Sequence, residues 1–89
     1  MTNKEIEIIN HYGVMNQLKY FQSEVFELNE AIIQYEYDDN LANTHIAEEM
    51  ADVLVMLKQF QLYYGITDEE IEKVMNYKID RQIKRMENE

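Results

Sequence analysis

Apolar residues recur at Val14, Leu18, Phe21, Val25, Leu28 and Ile32, in steps of four and three without a miss. That spacing is one face of a helix, so it predicts a helix from about Val14 to Tyr35 with a packing seam along it. The same rhythm returns at Ile46, Met50, Val53, Leu57, Phe60 and Tyr64. It predicts a further helix that starts near Asn43 or Thr44 as cap and ends at Gly65, a residue suited to the left-handed position after a helix. Ala47, Leu54, Val55, Met56 and Leu62 widen the apolar arc of this helix beyond one seam. It is therefore expected to be covered on more than one side, in part by another subunit.

Local signals complete the outline. Thr2 and Glu5 have capping-box spacing ahead of Ile6 and Ile9, and Gly13 permits a bend or a break after this first helix; the pattern leaves open which. From Glu36 to Asn43 the periodicity dissolves into Glu36, Asp38, Asp39, Asn40 and Asn43, side chains that solvate well and bond locally to the backbone, which predicts the main loop. Thr67 and Glu70 form a second capping box that opens a last helix running to about Met86, with Ile71, Val74, Met75, Ile79, Ile83 and Met86 as its inner face. With no proline and only two glycines, the expected fold is all-α, a short bundle of about four helices forming one domain over residues 1–89.

Chain length bears on stability. A chain of 89 residues buries only about 60–65% of the surface its unfolded form exposes, so its own core is marginal. No cysteine is present to supply disulfides or a thiolate zinc site, which leaves oligomerisation or a bound metal as the supplement. Eighteen acidic side chains against eight basic ones disfavour a nucleic-acid polymer or an anionic membrane as partner. No stretch reaches the roughly 18 apolar residues of a membrane span, and Met1–Glu7 lacks the segments of a signal peptide, so the expected location is cytoplasmic.

The candidate chemistry lies in two acidic pairs. With Phe21 and Val53 placed at heptad position d, Glu24 and Glu49 fall at g, and Glu27 and Asp52 fall at c. Residues three apart are neighbours on a helix surface, so each pair is a two-pronged group, and packing the two seams together brings the prongs to one cleft. Carboxylates gathered there repel unless a cation neutralises them or some take up protons. An oxygen-only set prefers a hard ion, magnesium first and manganese second, and magnesium so held keeps positions for water and substrate phosphates. A di-iron carboxylate bundle fits less well, because His45 precedes its carboxylates instead of following at Glu-x-x-His. Five of the eight cations, Lys73, Lys78, Arg81, Lys84 and Arg85, lie on the last helix. Lys78, Arg81 and Arg85 share a face from which they can meet phosphates, or simply solvate a helix end. The plain alternative for the acids is the solvated flank of a dimeric bundle. His11 and His45 read as structural or surface residues. Phe21, Phe26, Phe60, Tyr63 and Tyr64 read as core or interface, with room for one ring to stack on a base.

Three segments, Ser23 to Ile32, Glu48 to Leu54 and Asn76 to Arg81, together resemble the MazG-like nucleoside triphosphate pyrophosphohydrolases, whose signature is Glu-Glu-x-x-Glu followed after a gap by Glu-x-x-Asp. The resemblance runs from Gln17 to Arg85. It implies a helical magnesium enzyme that splits a nucleoside triphosphate, ribo or deoxy, between the α and β phosphates, giving the monophosphate and pyrophosphate. Glu24, Glu27, Glu49 and Asp52 would hold the metal, Lys78 would contact phosphate, and Arg81 or Arg85 would assist. It also implies a homodimer or homotetramer, with sites that can draw on two subunits. Ser23 departs from the pattern, standing where the family has its first glutamate. A catalytically weak module that binds a nucleotide or a partner protein is therefore the alternative expectation.

Overall fold

The computed structural model describes residues 3–37 and 43–89 as four α-helices, α1 (Lys4–Tyr12), α2 (Val14–Tyr37), α3 (Asn43–Tyr63) and α4 (Asp68–Glu87), with no strand among the described residues. The chain is all-α, as the periodicity predicts. Thr2 and residues 38–42, where the first capping box and most of the main loop are expected, lie outside the described residues. α1 instead takes Asn3 as its N-cap, whose side chain makes no capping hydrogen bond.

Gly13 settles the question the sequence leaves open, because it separates α1 from α2. Its φ of 90° and ψ of 147° lie where only glycine is at ease, and its N–H donates to Ile9 O at 2.8 Å, closing α1. Asn16 Nδ2 reaches back to Tyr12 O at 2.8 Å, satisfying a carbonyl at the end of α1. Gly65, at φ 68°, ends α3 as predicted. The N–H of Ile66 donates to Gln61 O and that of Gly65 to Leu62 O, the paired bonds of a Schellman motif. Two residues later Thr67 Oγ1 accepts from Glu70 N at 3.1 Å and α4 begins.

α2 and α3 run antiparallel. Gln17 meets Gln59, Phe21 meets Phe60, and Glu24 meets Glu49 and Asp52, so positions advance along one helix as they recede along the other. The face each turns inward differs from the apolar seam read in the sequence. On α2 the covered column is Val14, Gln17, Phe21, Glu24, Leu28 and Ala31, and on α3 it is Ile46, Glu49, Val53, Met56 and Phe60. Position d is inside on both helices, as expected, but its companion is g and not a. Leu18, Val25 and Ile32 on α2 and Met50 and Leu57 on α3, with Tyr64 just past its end, all at a, are exposed. The reason lies with α1, which packs mainly on α3 and also on α2, with Ile9 fully buried. It covers the g side and leaves the a side open. In an antiparallel pair like positions flank like positions, so one flank carries the c residues Glu27 and Asp52 and the opposite flank carries the apolar a residues.

α4 stands apart. None of its residues comes within 8 Å, Cα to Cα, of α1, α2 or α3, and none is buried. The expected inner face of Ile71 to Met86 is thus without a neighbouring helix among the described residues. Its tie to α3 is polar, through Lys58 Nζ at 2.8 Å and Gln61 Nε2 at 2.6 Å from Asp68 Oδ1. The radius of gyration, 16.2 Å, exceeds the about 12 Å of a compact chain this long. Among the described residues no helix is long and apolar enough to cross a membrane.

Candidate metal centre and adjoining cavity

Because g turns inward, Glu24 and Glu49 stand in the α2–α3 interface itself. Asp52, one helical turn from Glu49, closes on them from the exposed rim, and one carboxylate oxygen from each of the three lies within 4.8 Å of the others. Glu24 is 6% exposed and Glu49 half-buried. Glu24 Oε2 and Glu49 Oε2 are both buried with no hydrogen-bond partner among the described residues. Buried acceptors of this kind are rare and costly in a native fold.

The electrostatics match that geometry. Burial, then the charge of Glu27, push the Glu24 carboxyl above its ordinary range, with Asp52 and Glu49 adding to the rise and a hydrogen bond from Tyr20 opposing it. Glu49 is raised for the same first two reasons, burial and then Glu27, with Asp52 adding and the nearby His45 pulling down. Tyr20 is itself raised, chiefly by the charge of Glu24 and the bond to it. These acids hold one another's protons on.

Three of the four predicted ligands therefore converge. Glu27, the fourth, is exposed and outside the group of three, and it acts on the site through its charge, which raises both Glu24 and Glu49. Lys78, Arg81 and Arg85 are not brought to the acids within one chain, since α4 touches α3 only through Asp68 at its start and packs on neither α2 nor α3. The Arg81 guanidinium lies 5.7 Å from the centre of the Tyr77 ring on its own helix. Ser23 is exposed on α2 and His11 on α1; His45, also exposed, acts on the site only through its charge near Glu49. Of the aromatics read as core or interface, Phe21 and Phe60 pack edge to face, whereas Phe26, Tyr63 and Tyr64 are exposed.

A cavity of about 530 Å³ opens beside the acids, with Glu24 and Asp52 in its wall. α1 contributes Ile8 and Tyr12, α2 contributes Gln17 and Tyr20, and α3 contributes Met56 and Gln59. Gln17 and Gln59 are buried, at 7% and 1% exposure, and Gln17 Nε2 donates to Gln59 Oε1 at 2.8 Å. Sequence reasoning passed over both glutamines and Tyr20. The signal was present: Gln17 precedes Glu24 by one heptad and Gln59 follows Asp52 by one, so each extends an acidic column toward the same end of the interface.

The class of protein these features define is an all-α helical chain with a three-carboxylate cluster and a neighbouring cavity. No family model, curated protein or solved structure matches the chain.

Proposed function

We propose that this chain is a magnesium-dependent nucleoside triphosphate pyrophosphohydrolase of MazG-like type, releasing pyrophosphate and a nucleoside monophosphate. One observation carries the reading: the carboxylates of Glu24 and Glu49, each with one buried, unpartnered oxygen, converge with that of Asp52 beside a cavity. Interior acids held above their ordinary range are the chemistry a divalent cation relieves, and an oxygen-only set suits magnesium, with manganese second. Glu24, Glu49 and Asp52 would hold the ion, with the charge of Glu27 beside them. When bound, magnesium supplies polarisation of the phosphates and a more acidic water. The acids would fix where the triphosphate lies, and the cavity beside them offers room for the rest of the substrate.

Assembly belongs to the same proposal. The accessible surface, 7418 Å², exceeds the about 5,500 Å² of a compact protein of 10.8 kDa. The excess is of the order that subunits hide in a permanent dimer. The exposed a positions of α2 and α3 and the apolar stripe of α4 are the surfaces for a second copy, as homodimer or, by repetition, homotetramer. In such an assembly α4 can carry Lys78, Arg81 and Arg85 to the phosphates of a neighbouring site.

A second reading, a nucleotide-binding module with little turnover, is favoured by Ser23 and by one structural observation. Among the described residues the groups that act on Glu24 and Glu49 are acids, Tyr20 and His45, with no lysine or arginine among them. The experiment that separates the two is pyrophosphate release from a panel of ribo- and deoxynucleoside triphosphates with magnesium, repeated with Asp52→Asn. Turnover lost in the variant supports the enzyme. Turnover unchanged by Asp52→Asn removes this site from the reaction, and magnesium-dependent nucleotide binding without turnover leaves the binding module.

A further inference from the structure

Gln17 and Gln59 pose a question the acids do not answer. Two primary amides offer four N–H donors and as many acceptor positions, yet the one strong bond between them is Gln17 Nε2 to Gln59 Oε1. The other contacts recorded for their nitrogens are to the Met56 sulfur, at 4.0 Å from Gln17 Nε2 and 3.6 Å from Gln59 Nε2, and a thioether is a weak acceptor. Both side chains are more than nine-tenths buried, and both line the cavity that reaches Glu24 and Asp52. Amides removed from water with donors left over are suited to a ligand that brings its own polar edge.

We propose that this cavity is the nucleobase subsite, in which the Gln17–Gln59 pair reads the donor–acceptor edge of the base while Tyr12 and Tyr20 flank its ring. The inference rests on the pyrophosphohydrolase reading for the phosphates and adds the recognition of the other end of the substrate. A nucleobase is the chemical class that fits, because it is flat, largely apolar on its faces and polar only along its edge. The walls have the same distribution. Ile8, Val55 and Met56 are apolar, Tyr12 and Tyr20 stand 57% exposed, and the amides are buried. Aromatic rings beside a base contribute stacking without choosing among bases, so choice falls to the amides. The volume of about 530 Å³ lies within the range of ligand pockets. Since Glu24 and Asp52 share the cavity wall, a base seated on the amides directs its phosphates toward the acidic cluster.

The test uses nucleosides, which carry the base and sugar but no phosphate, titrated into the full-length protein without metal while the side-chain amide and tyrosine ring resonances are followed by NMR. Saturable shifts at Gln17, Gln59 and Tyr20, with affinity reduced tenfold or more by Gln59→Leu, are the expected result. Manganese binding at the acids, measured in parallel, should be the same in Gln59→Leu and the parent. Tyr20→Ala, a change at an exposed position, serves as a second variant should Gln59→Leu fail to fold, and it too should weaken nucleoside binding several-fold. Nucleosides that leave these resonances unmoved, or bind the variants as tightly as the parent, overturn the assignment. The two proposals fail separately: base preference in pyrophosphate release unchanged by Gln59→Leu sinks the base subsite and leaves the enzyme, whereas nucleoside binding in a protein that turns over no triphosphate sinks the enzyme and leaves the subsite.

Discussion

Phe21 of α2 and Phe60 of α3 meet edge to face, with ring centroids 5.6 Å apart and planes at 83°. Both stand at heptad position d, and their contact fixes the rotation of the two helices about their axes. Edge-to-face pairs contribute about 0.5–1.5 kcal/mol beyond the area they bury. A double-mutant cycle with Phe21→Leu and Phe60→Leu, read by denaturant unfolding, should return a coupling in that range. The same cycle on Leu18 and Leu57, both at a, should return none within one chain. Coupling at the second pair and not the first would mean that the helices face each other through a and d after all.

The acidic cluster gives stability a definite pH dependence. Glu24 and Glu49 are raised from an ordinary value of 4.5, so the folded chain keeps protons that the unfolded chain has released. Metal-free stability should decline as pH rises from about 4.5 through the raised values, and stay at the lower level above them. Glu24→Gln should raise the metal-free Tm near neutral pH. Millimolar magnesium or manganese should raise the Tm of the parent chain there, and should do less for Glu24→Gln or Asp52→Asn. Melting curves across pH, with and without the ion, decide it; a metal-free Tm that climbs toward neutrality contradicts the arrangement.

Gly13 has open space around it, with nothing within 4 Å of where a Cβ would stand, so the cost of substitution there comes from the backbone alone. Gly13→Ala should destabilise the fold by about 1–3 kcal/mol, the cost of holding a side-chain-bearing residue in that region. Because α1 supplies Ile8 and Tyr12 to the cavity, the same change should weaken nucleotide binding more than manganese binding. Equal losses in the two titrations would show that α1 does not shape the cavity independently of the acids.

Assembly is tested on the exposed apolar faces. Leu57→Glu on α3 and Ile79→Glu on α4 each place a charge on a surface that the single chain leaves open, so neither disturbs contacts within it. In sedimentation equilibrium the parent should run as a multiple of 10.8 kDa and the variants should shift toward that value. A parent already at one chain mass removes the oligomer from the proposal.

What the sequence made legible is local. Gly13, Gly65 and Thr67 mark helix ends through backbone conformation and capping, which need no knowledge of distant residues, and the structure follows all three. The convergence of Glu24, Glu49 and Asp52 was also legible, because equal heptad positions on two antiparallel helices meet whichever flank is inside. The choice between a and g was not. Counting apolar residues favours Leu18, Val25 and Ile32 over Gln17, Glu24 and Ala31, and only the docking of α1 reverses it. Gln59 shows the same limit: its heptad step from Asp52 sets it on the acidic column, unlike Gln61, which is half-buried at the α3–α4 joint, but how deeply Gln59 is buried is decided by α1 and α2. The apolar stripe of α4 was read correctly as a stripe, but a periodicity names a face without naming what it faces.

α4 is a well-capped helix of 20 residues that, beyond the bonds of Asp68 to α3, packs on no other helix among the described residues. A helix of that length alone in water sits near the balance point between helix and coil. Its amide hydrogens should therefore exchange with solvent quickly in an isolated chain, while those of α2 and α3 exchange only on larger openings. Any slowing at Ile79 or Ile83 then measures the free energy with which another surface clasps the stripe. The last helix is in this sense a built-in gauge, reporting through its own fraying how firmly the chain is held by its company.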